Sequence, residues 1–212
     1  MKDKEKYINI QRQLIEKLVD LDKLPEEVRN NLTDYVTFRH ELTIESDRGC
    51  ALLAGSYLDS QLEKVLRKKM VGNKKHLDNL FDFNGPLGTF SGRITITYSL
   101  GLISKNDLND LQLVRKIRNT FGHSPSIIDF ENEKIKSYCN NLKLVVRERS
   151  KSPRQKFNSS VSYLLGAIEG MLYTEDDTFI EKPNSELENF KKTIDEFDGV
   201  VEKLFERTEE EE

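Results

Sequence analysis

Apolar residues recur every three or four positions along most of the chain, which is the spacing of one face of an α-helix rather than of a strand. The longest such pattern spans about residues 43–70 and is predicted to be the core helix. It ends in a cationic turn followed by a glycine and an asparagine, which is typical of a helix C-terminus. Its apolar positions are Ile44, Ala51, Leu52, Leu58, Leu62, Val65 and Leu66.

Segment 90–100 contains Ile94-Thr95-Ile96-Thr97-Tyr98, whose residue types favour a strand. A single strand in a helical chain would have no partner, and Phe90, Ile94 and Leu100 also share one helical face. We therefore predict a helix there. Ser104 lies in a predicted N-terminal cap for the helix that follows. The remaining predicted helices are 4–20, a short one after Pro25, 106–121, 131–146, 159–173 and 184–207.

These elements predict an all-α helical bundle with a C-terminal helical extension. The predicted organisation is a bundle over residues 1–146, a basic linker at 147–157 that is rich in Arg, Lys and Ser, and C-terminal helices over 158–207. The five residues 208–212, which include four consecutive glutamates, are predicted to form a disordered acidic tail.

Composition narrows the class of protein. The 212 residues carry a net charge of −4, so any contact with nucleic acid must be local. No apolar stretch approaches the roughly 18 to 20 residues of a membrane span, which predicts a cytoplasmic protein. Cys50 and Cys139 have no neighbouring Cys or His at metal-ligand spacing, so we expect two reduced thiols, no metal and no cofactor.

The segment Arg118-Asn119-Thr120-Phe121-Gly122-His123 is the one sharp chemical clue. On a helical wheel Arg118 falls on the apolar side of its helix, where an unpaired guanidinium is costly. It is expected to form a buried ion pair, for example with Glu45 or Asp47, to face a subunit interface, or to face an anion in a cleft. His123 either caps the helix or, held beside Arg118, acts as a base near neutral pH.

This segment resembles the Arg-Asn-x-x-x-His signature of HEPN domains, which are helical bundles that include many metal-independent ribonucleases. The resemblance implies a catalytic pair of Arg118 and His123, with Asn119 in support. Such a reaction needs both a base and an acid, and one chain offers a single suitable histidine. A homodimer with a composite site is therefore expected, giving 2′,3′-cyclic phosphate ends.

A longer stretch, roughly residues 40–145, is similar to the MtlR family of mannitol operon repressors. The resemblance lies in Glu45-Ser46-Asp47-Arg48-Gly49, Gly85-Pro86-Leu87-Gly88, the Tyr-x-Leu-Gly-Leu-Ile segment that ends at Ile103, and the Arg-Asn segment. That family is labelled as transcriptional regulators, although its helical folds have no obvious DNA-reading module. The resemblance implies a non-catalytic regulator that works through protein–protein binding.

Several further residues could support either function. Glu45 and Asp47 either complement a helix dipole or orient Arg118 or His123, and Arg48 is a candidate second phosphate contact. Two basic clusters could contact an RNA backbone, although such charge runs are usually solvated surface. Their candidate RNA-binding residues are Arg67, Lys68, Lys69, Arg147, Arg149 and Arg154.

The first hypothesis is therefore a HEPN-like RNA-binding endoribonuclease, of the kind found among toxins of toxin–antitoxin systems and antiviral defence effectors. The alternative is the MtlR-like transcriptional regulator. A protein partner, such as an antitoxin or a larger defence or regulatory complex, is expected under either. Direct operator binding is disfavoured because no recognition helix rich in Arg, Asn and Gln is apparent.

Overall fold

The computed structural model describes residues 26–146, 152–173, 187 and 190–199. All regular structure in these ranges is helical, which confirms the predicted fold class. The predicted helix 4–20, the tail 208–212, and Arg147 and Arg149 lie outside the described residues. Residues 190–199 are helical, and the preceding helices are α1 (Glu26–Ile44), α2 (Asp47–Lys69), α3 (Lys74–Phe81), α4 (Phe90–Ser99), α5 (Lys105–His123), α6 (Glu133–Asn140) and α7 (Pro153–Gly170).

The chain divides into two compact units. One combines residues 1–46 with 188–212, and the other spans 47–187. In the first unit, α1 buries Val36, Phe38 and Leu42, and the Arg39 guanidinium lies 5.8 Å from the centroid of the Tyr35 ring. The second unit holds α2 to α7 and the candidate site.

Helix α2 is the centre of the second unit and packs against α4, α5 and α7. It begins at Asp47, so the predicted start at residue 43 was wrong. Thr43 and Ile44 belong to α1, and Ile44 is 60% exposed rather than part of the core. The apolar spacing runs on across two helices because the break between them spans only two residues. The buried positions of α2 are Cys50, Ala51, Ala54, Gly55, Leu58, Gln61, Leu62, Val65 and Leu66.

Helix α4 forms despite its strand-favouring residues, as predicted. The Thr89 side chain accepts a hydrogen bond from the Gly92 amide and caps the first turn. The Thr97 hydroxyl donates to the Arg93 carbonyl one turn earlier, so this buried hydroxyl has its hydrogen-bond partner within its own helix. Arg93 in turn donates to Asp59 of α2 at 2.6 Å. Packing on α2 therefore outweighs local propensity.

Two further predicted boundaries were wrong, and one helix was missed. Helix α6 ends at Asn140 instead of continuing to residue 146, and α7 begins at Pro153, inside the stretch predicted as a linker. Ser152 caps α7 through a reciprocal pair of hydrogen bonds with Gln155, and Pro153 suits the first helical position because it needs no amide partner there. The short helix α3, capped by Asn73, was not predicted.

A buried carboxylate, Asp110 of α5, explains why α6 ends early. Its side chain accepts hydrogen bonds from the amides of Lys143 and Leu144 and from the hydroxyl of Ser160 on α7, at 2.8–3.1 Å. The two amides therefore bond to Asp110 rather than to a helical carbonyl. Asp110 is fully buried, and this burial raises its pKa above the ordinary 3.8.

Replacing Asp110 by Asn should lower the free energy of unfolding by about 2 kcal/mol. The NH₂ group of the Asn side chain would then face a backbone N–H group, and two donors cannot bond to each other. A carboxyl whose pKa is raised in the folded state contributes most to the free energy of unfolding below its unfolded pKa of 3.8. This contribution is lost as the pH rises from 3.8 through the folded-state pKa. The difference in free energy of unfolding between the native and Asp110→Asn chains, measured by urea unfolding, should therefore become smaller as the pH rises from 3.8 through the folded-state pKa.

Asp82→Asn is the matched control, since Asp82 is exposed and ends α3 without a side-chain hydrogen bond among the described residues. It should change the free energy of unfolding by less than about 0.5 kcal/mol. A difference for Asp110→Asn that widens with rising pH would contradict the assigned pKa direction.

Candidate functional site

Arg118 lies on the face of α5 that packs against α2. Its stem crosses Gly55 so closely that a Cβ built on Gly55 would lie 2.7 Å from the Arg118 Cγ. The side chain is nevertheless exposed, so the buried ion pair, one of the alternatives for Arg118, is not formed among the described residues. The stem is packed while the charged end reaches solvent, as is usual for long cationic side chains. Its guanidinium donates to the neighbouring Asn119 Oδ1 at 3.0 Å.

His123 occupies a different face of α5. It lies five positions after Arg118, which places the two side chains about 140° apart around the helix axis. His123 and Asn119 line a groove between the end of α5 and α6, whereas Arg118 does not. Arg118 and His123 therefore leave α5 on different faces, although the Arg118 guanidinium is bonded to Asn119, which lines the groove. The nine lining residues of this α5–α6 groove are Lys116, Asn119, Thr120, His123, Ser124, Ile128, Asn132, Lys134 and Tyr138.

The first turn of α2 holds the loop that follows α5. The Arg48 guanidinium donates to the carbonyls of Ser124 and Ser126 at 2.9 and 2.8 Å. Asp47 accepts from the Phe130 amide at 2.9 Å and from Arg154 at 2.7 Å. Arg48 is thus engaged by backbone carbonyls rather than presented to a phosphate. Asp47 pairs with neither Arg118 nor His123 and lies in the first turn of α2, so its placement fits the first of its two alternatives, an acid that complements the helix dipole.

Glu45 lies outside this unit, in the short connection between α1 and α2, with its amide donating to the Glu41 carbonyl at 3.1 Å. The sequence had suggested that Glu45 lies in the first turn of the core helix, but that helix begins only at Asp47. Its predicted role beside Arg118 or His123 stays a prediction.

The described members of the two basic clusters are mostly engaged within the fold. Arg67 bonds to Glu63 and Asp78 at 2.8 and 2.9 Å. The Lys68 ammonium donates to the Leu172 carbonyl, and Arg154 pairs with Asp47. Lys69 also has an interaction partner. These contacts give Arg67, Lys68 and Arg154 a structural role, so the predicted RNA contacts have little support from their placement.

Sequence reasoning missed a charged network beside this cluster. Arg93 of α4 is buried and bonds to Asp59 and Glu63 of α2 at 2.6 and 2.7 Å. The Phe81 ring lies near two guanidinium groups, those of Arg67 at 4.4 Å and Arg93 at 5.7 Å from its centroid. The spacing of Asp59 and Glu63 by four residues was a usable signal, because it places both carboxylates on one helical face.

Within the described ranges, no group of His, Cys, Asp or Glu has the arrangement of a metal site. The same residues include no helix that is long and apolar enough to cross a membrane. Cys50 and Cys139 are buried free thiols, and burial raises the pKa of Cys139 to about 12.

Comparison with known proteins identifies several relatives. A family profile described as mannitol repressor (MtlR) matches residues 50–171. The mannitol operon repressors of Escherichia coli strains K12 and CFT073 are each 31% identical to this chain over 72 residues. That segment is 34% of this chain and 37% of each repressor, so it spans little more than a third of their length.

A solved structure has a similar fold. It is titled the X-ray structure of the MtlR-HPr complex from Escherichia coli, and the matched chain superposes with a TM-score of 0.55 at 19% sequence identity. The match covers 63% of this chain and 97% of that one. At this level of identity the likeness establishes the fold and leaves the function open.

Gly55→Ala should lower the free energy of unfolding by about 1–3 kcal/mol, because the added methyl group would overlap the Arg118 stem. In the double variant with Arg118→Ala, which lacks the overlapping Cγ, much of this loss should be recovered. Denaturant unfolding of the two single variants and the double variant measures the coupling.

Gly122→Ala provides the contrast, since its Cβ would meet only the Leu52 Cδ2 at 3.6 Å. It should be neutral or stabilising by up to about 1 kcal/mol. A Gly55→Ala chain as stable as the native one, or additive effects in the double variant, would rule out the close contact.

Proposed function

Because the chain belongs to the mannitol repressor family, we propose that it is a non-catalytic regulator that acts by binding another protein. The partner we propose is an HPr-like protein. One observation carries this proposal: the fold is shared with a chain whose structure is titled as a complex with HPr. A role in transcriptional regulation, inferred from the name of the family, would then be exerted through the bound protein.

The loop that links α5 and α6, residues 124–132, is the surface we assign to the partner. Ile127 at its centre is fully exposed, at 102%, which is unusual for a large aliphatic side chain. The loop is fixed at one end by Arg48, which bonds to the Ser124 and Ser126 carbonyls. A constrained apolar contact costs less conformational entropy on binding than a mobile one.

The other half of this loop is anchored in the core. The buried Phe130 ring packs between Phe121 and Phe157, with centroid distances of 5.1 and 5.2 Å. Its amide is also bonded to Asp47. Ile127 therefore projects from a short segment held on both sides, a suitable arrangement for a docking contact.

The ribonuclease hypothesis is the second candidate function. It is favoured by one observation, namely that the Arg118 and His123 side chains are both exposed. Because they lie on different faces of α5, a composite site would need a second chain to supply the missing group. A toxin or defence role, an antitoxin partner and the homodimer all depend on that arrangement. Arg67, Lys68 and Arg154 are bonded to other residues of the chain, which argues against extensive RNA contact.

The purified chain should bind HPr from the organism that encodes it with a dissociation constant in the micromolar range or tighter, as measured by isothermal titration calorimetry. Ile127→Asp should weaken this binding by about tenfold or more, because it places a charge in an apolar contact. Its thermal unfolding midpoint should be unchanged, since the native side chain is fully exposed.

Val71→Asp is the matched control, because Val71 is 96% exposed and lies in the connection between α2 and α3. It should leave the affinity for HPr unchanged. Absence of binding would count against HPr as the partner, whereas loss of binding in Val71→Asp but not in Ile127→Asp would move the docking surface to the opposite end of α2.

A further inference from the structure

The α5–α6 groove has a volume of about 600 Å³, within the range of small-molecule sites. Four of its lining residues come from α5 and recur on one face of that helix. The other lining residues are Lys134 and Tyr138 of α6, its N-cap Asn132, and Ser124 and Ile128 of the loop between the two helices.

The charge of the groove is unusual for this chain. Its lining includes Lys116, Lys134 and His123, and none of the nine described lining residues is acidic, although the whole chain has a net charge of −4. A nearby acid, Glu131, is paired with Lys136 at 2.9 Å. A local concentration of cations on an acidic protein favours an anionic ligand.

The hydrogen-bonding groups in the groove indicate which kind of anion. The Asn119 and Asn132 side-chain oxygens already accept bonds from Arg118 and from the first amides of α6, so their amide NH₂ groups are left to donate. Among the described residues, the Lys134 ammonium has no bonding partner, and the Lys116 ammonium lies only over the Tyr138 ring, 5.8 Å from its centroid. This excess of donors matches the acceptor oxygens of a phosphoryl group.

Two hydroxyl groups in the groove, by contrast, can act as hydrogen-bond acceptors. Thr120 donates to the Lys116 carbonyl at 2.9 Å and Ser124 donates to the Ser126 carbonyl at 3.0 Å. Each hydroxyl proton is therefore committed, and each oxygen retains lone pairs that can accept from a ligand hydroxyl. Ile128 and the Tyr138 ring supply apolar contact for the carbon skeleton.

We propose that the α5–α6 groove binds a small phosphorylated molecule that also carries hydroxyl groups, such as a sugar phosphate. Lys116, Lys134 and His123 receive the phosphoryl group, while Thr120 and Ser124 accept from the hydroxyls. This assigns Asn119 and His123 to ligand binding, and it leaves Arg118, on the other face of α5, outside the site.

Isothermal titration calorimetry of the full chain in phosphate-free buffer at low ionic strength tests the proposal, with glucose 6-phosphate, glucose and inorganic phosphate as separate probes. Glucose 6-phosphate should bind saturably and more tightly than inorganic phosphate, and glucose should not bind. The double variant Lys116→Gln/Lys134→Gln should weaken glucose 6-phosphate binding by about tenfold or more, since two charge-assisted contacts are removed.

The double variant Lys74→Gln/Lys75→Gln is the matched control, because it removes the same charge from exposed positions on α3. It should change the affinity by less than about twofold, because these two lysines are not among the residues that line the groove and exposed charges that do not contact the ligand act on it only weakly. Equal weakening by both double variants, equal affinity for phosphate and its ester, or no saturable binding would each overturn the proposal. No protein partner is present, so these results are independent of HPr binding.

Discussion

Two adjacent residues at the start of α2, one acidic and one basic, hold the loop that shapes the candidate site. Asp47 accepts the Phe130 amide and the Arg154 guanidinium, while Arg48 donates to the carbonyls of Ser124 and Ser126. The loop beyond α5 has no regular structure of its own, so these contacts satisfy backbone groups that would otherwise depend on water. They fix where the loop leaves α5 and where it re-enters the core.

The site follows from this constraint and from the absence of a side chain at Gly55. The Arg118 stem lies against α2 at Gly55, which leaves the opposite side of the α5 terminus to His123 and the α5–α6 groove. Two residues that form one short motif in the sequence are thereby directed to separate surfaces. A binding role for His123 in the groove suits this geometry better than chemistry shared with Arg118 in one chain.

The fold could be predicted well where local signals agreed with tertiary ones. Ser104 caps α5 together with Asp107, and α4 is helical because Arg93 is bonded to α2. The break at residues 45–46 was missed because apolar spacing continues across it. The capping box at Ser152, by contrast, was a readable signal for the start of α7.

The site was harder to predict because its decisive contacts join residues far apart in sequence. Arg48 and its carbonyl acceptors are 76 and 78 positions apart, and Asp110 and Ser160 are 50 apart. A helical wheel placed the Arg118 stem correctly on the side of α2. It could not show that the facing residue is a glycine, which allows the charged end to reach solvent.

The most direct test of the separation between Arg118 and His123 is incubation of total cellular RNA with the purified chain in excess chelator, beside Arg118→Ala and His123→Ala. If the two side chains serve different surfaces of a binding protein, the RNA should remain intact with all three. Cleavage by the native chain that is lost in both variants, with products ending in a 2′,3′-cyclic phosphate, would contradict the account of a non-catalytic binding protein and establish that both side chains take part in catalysis.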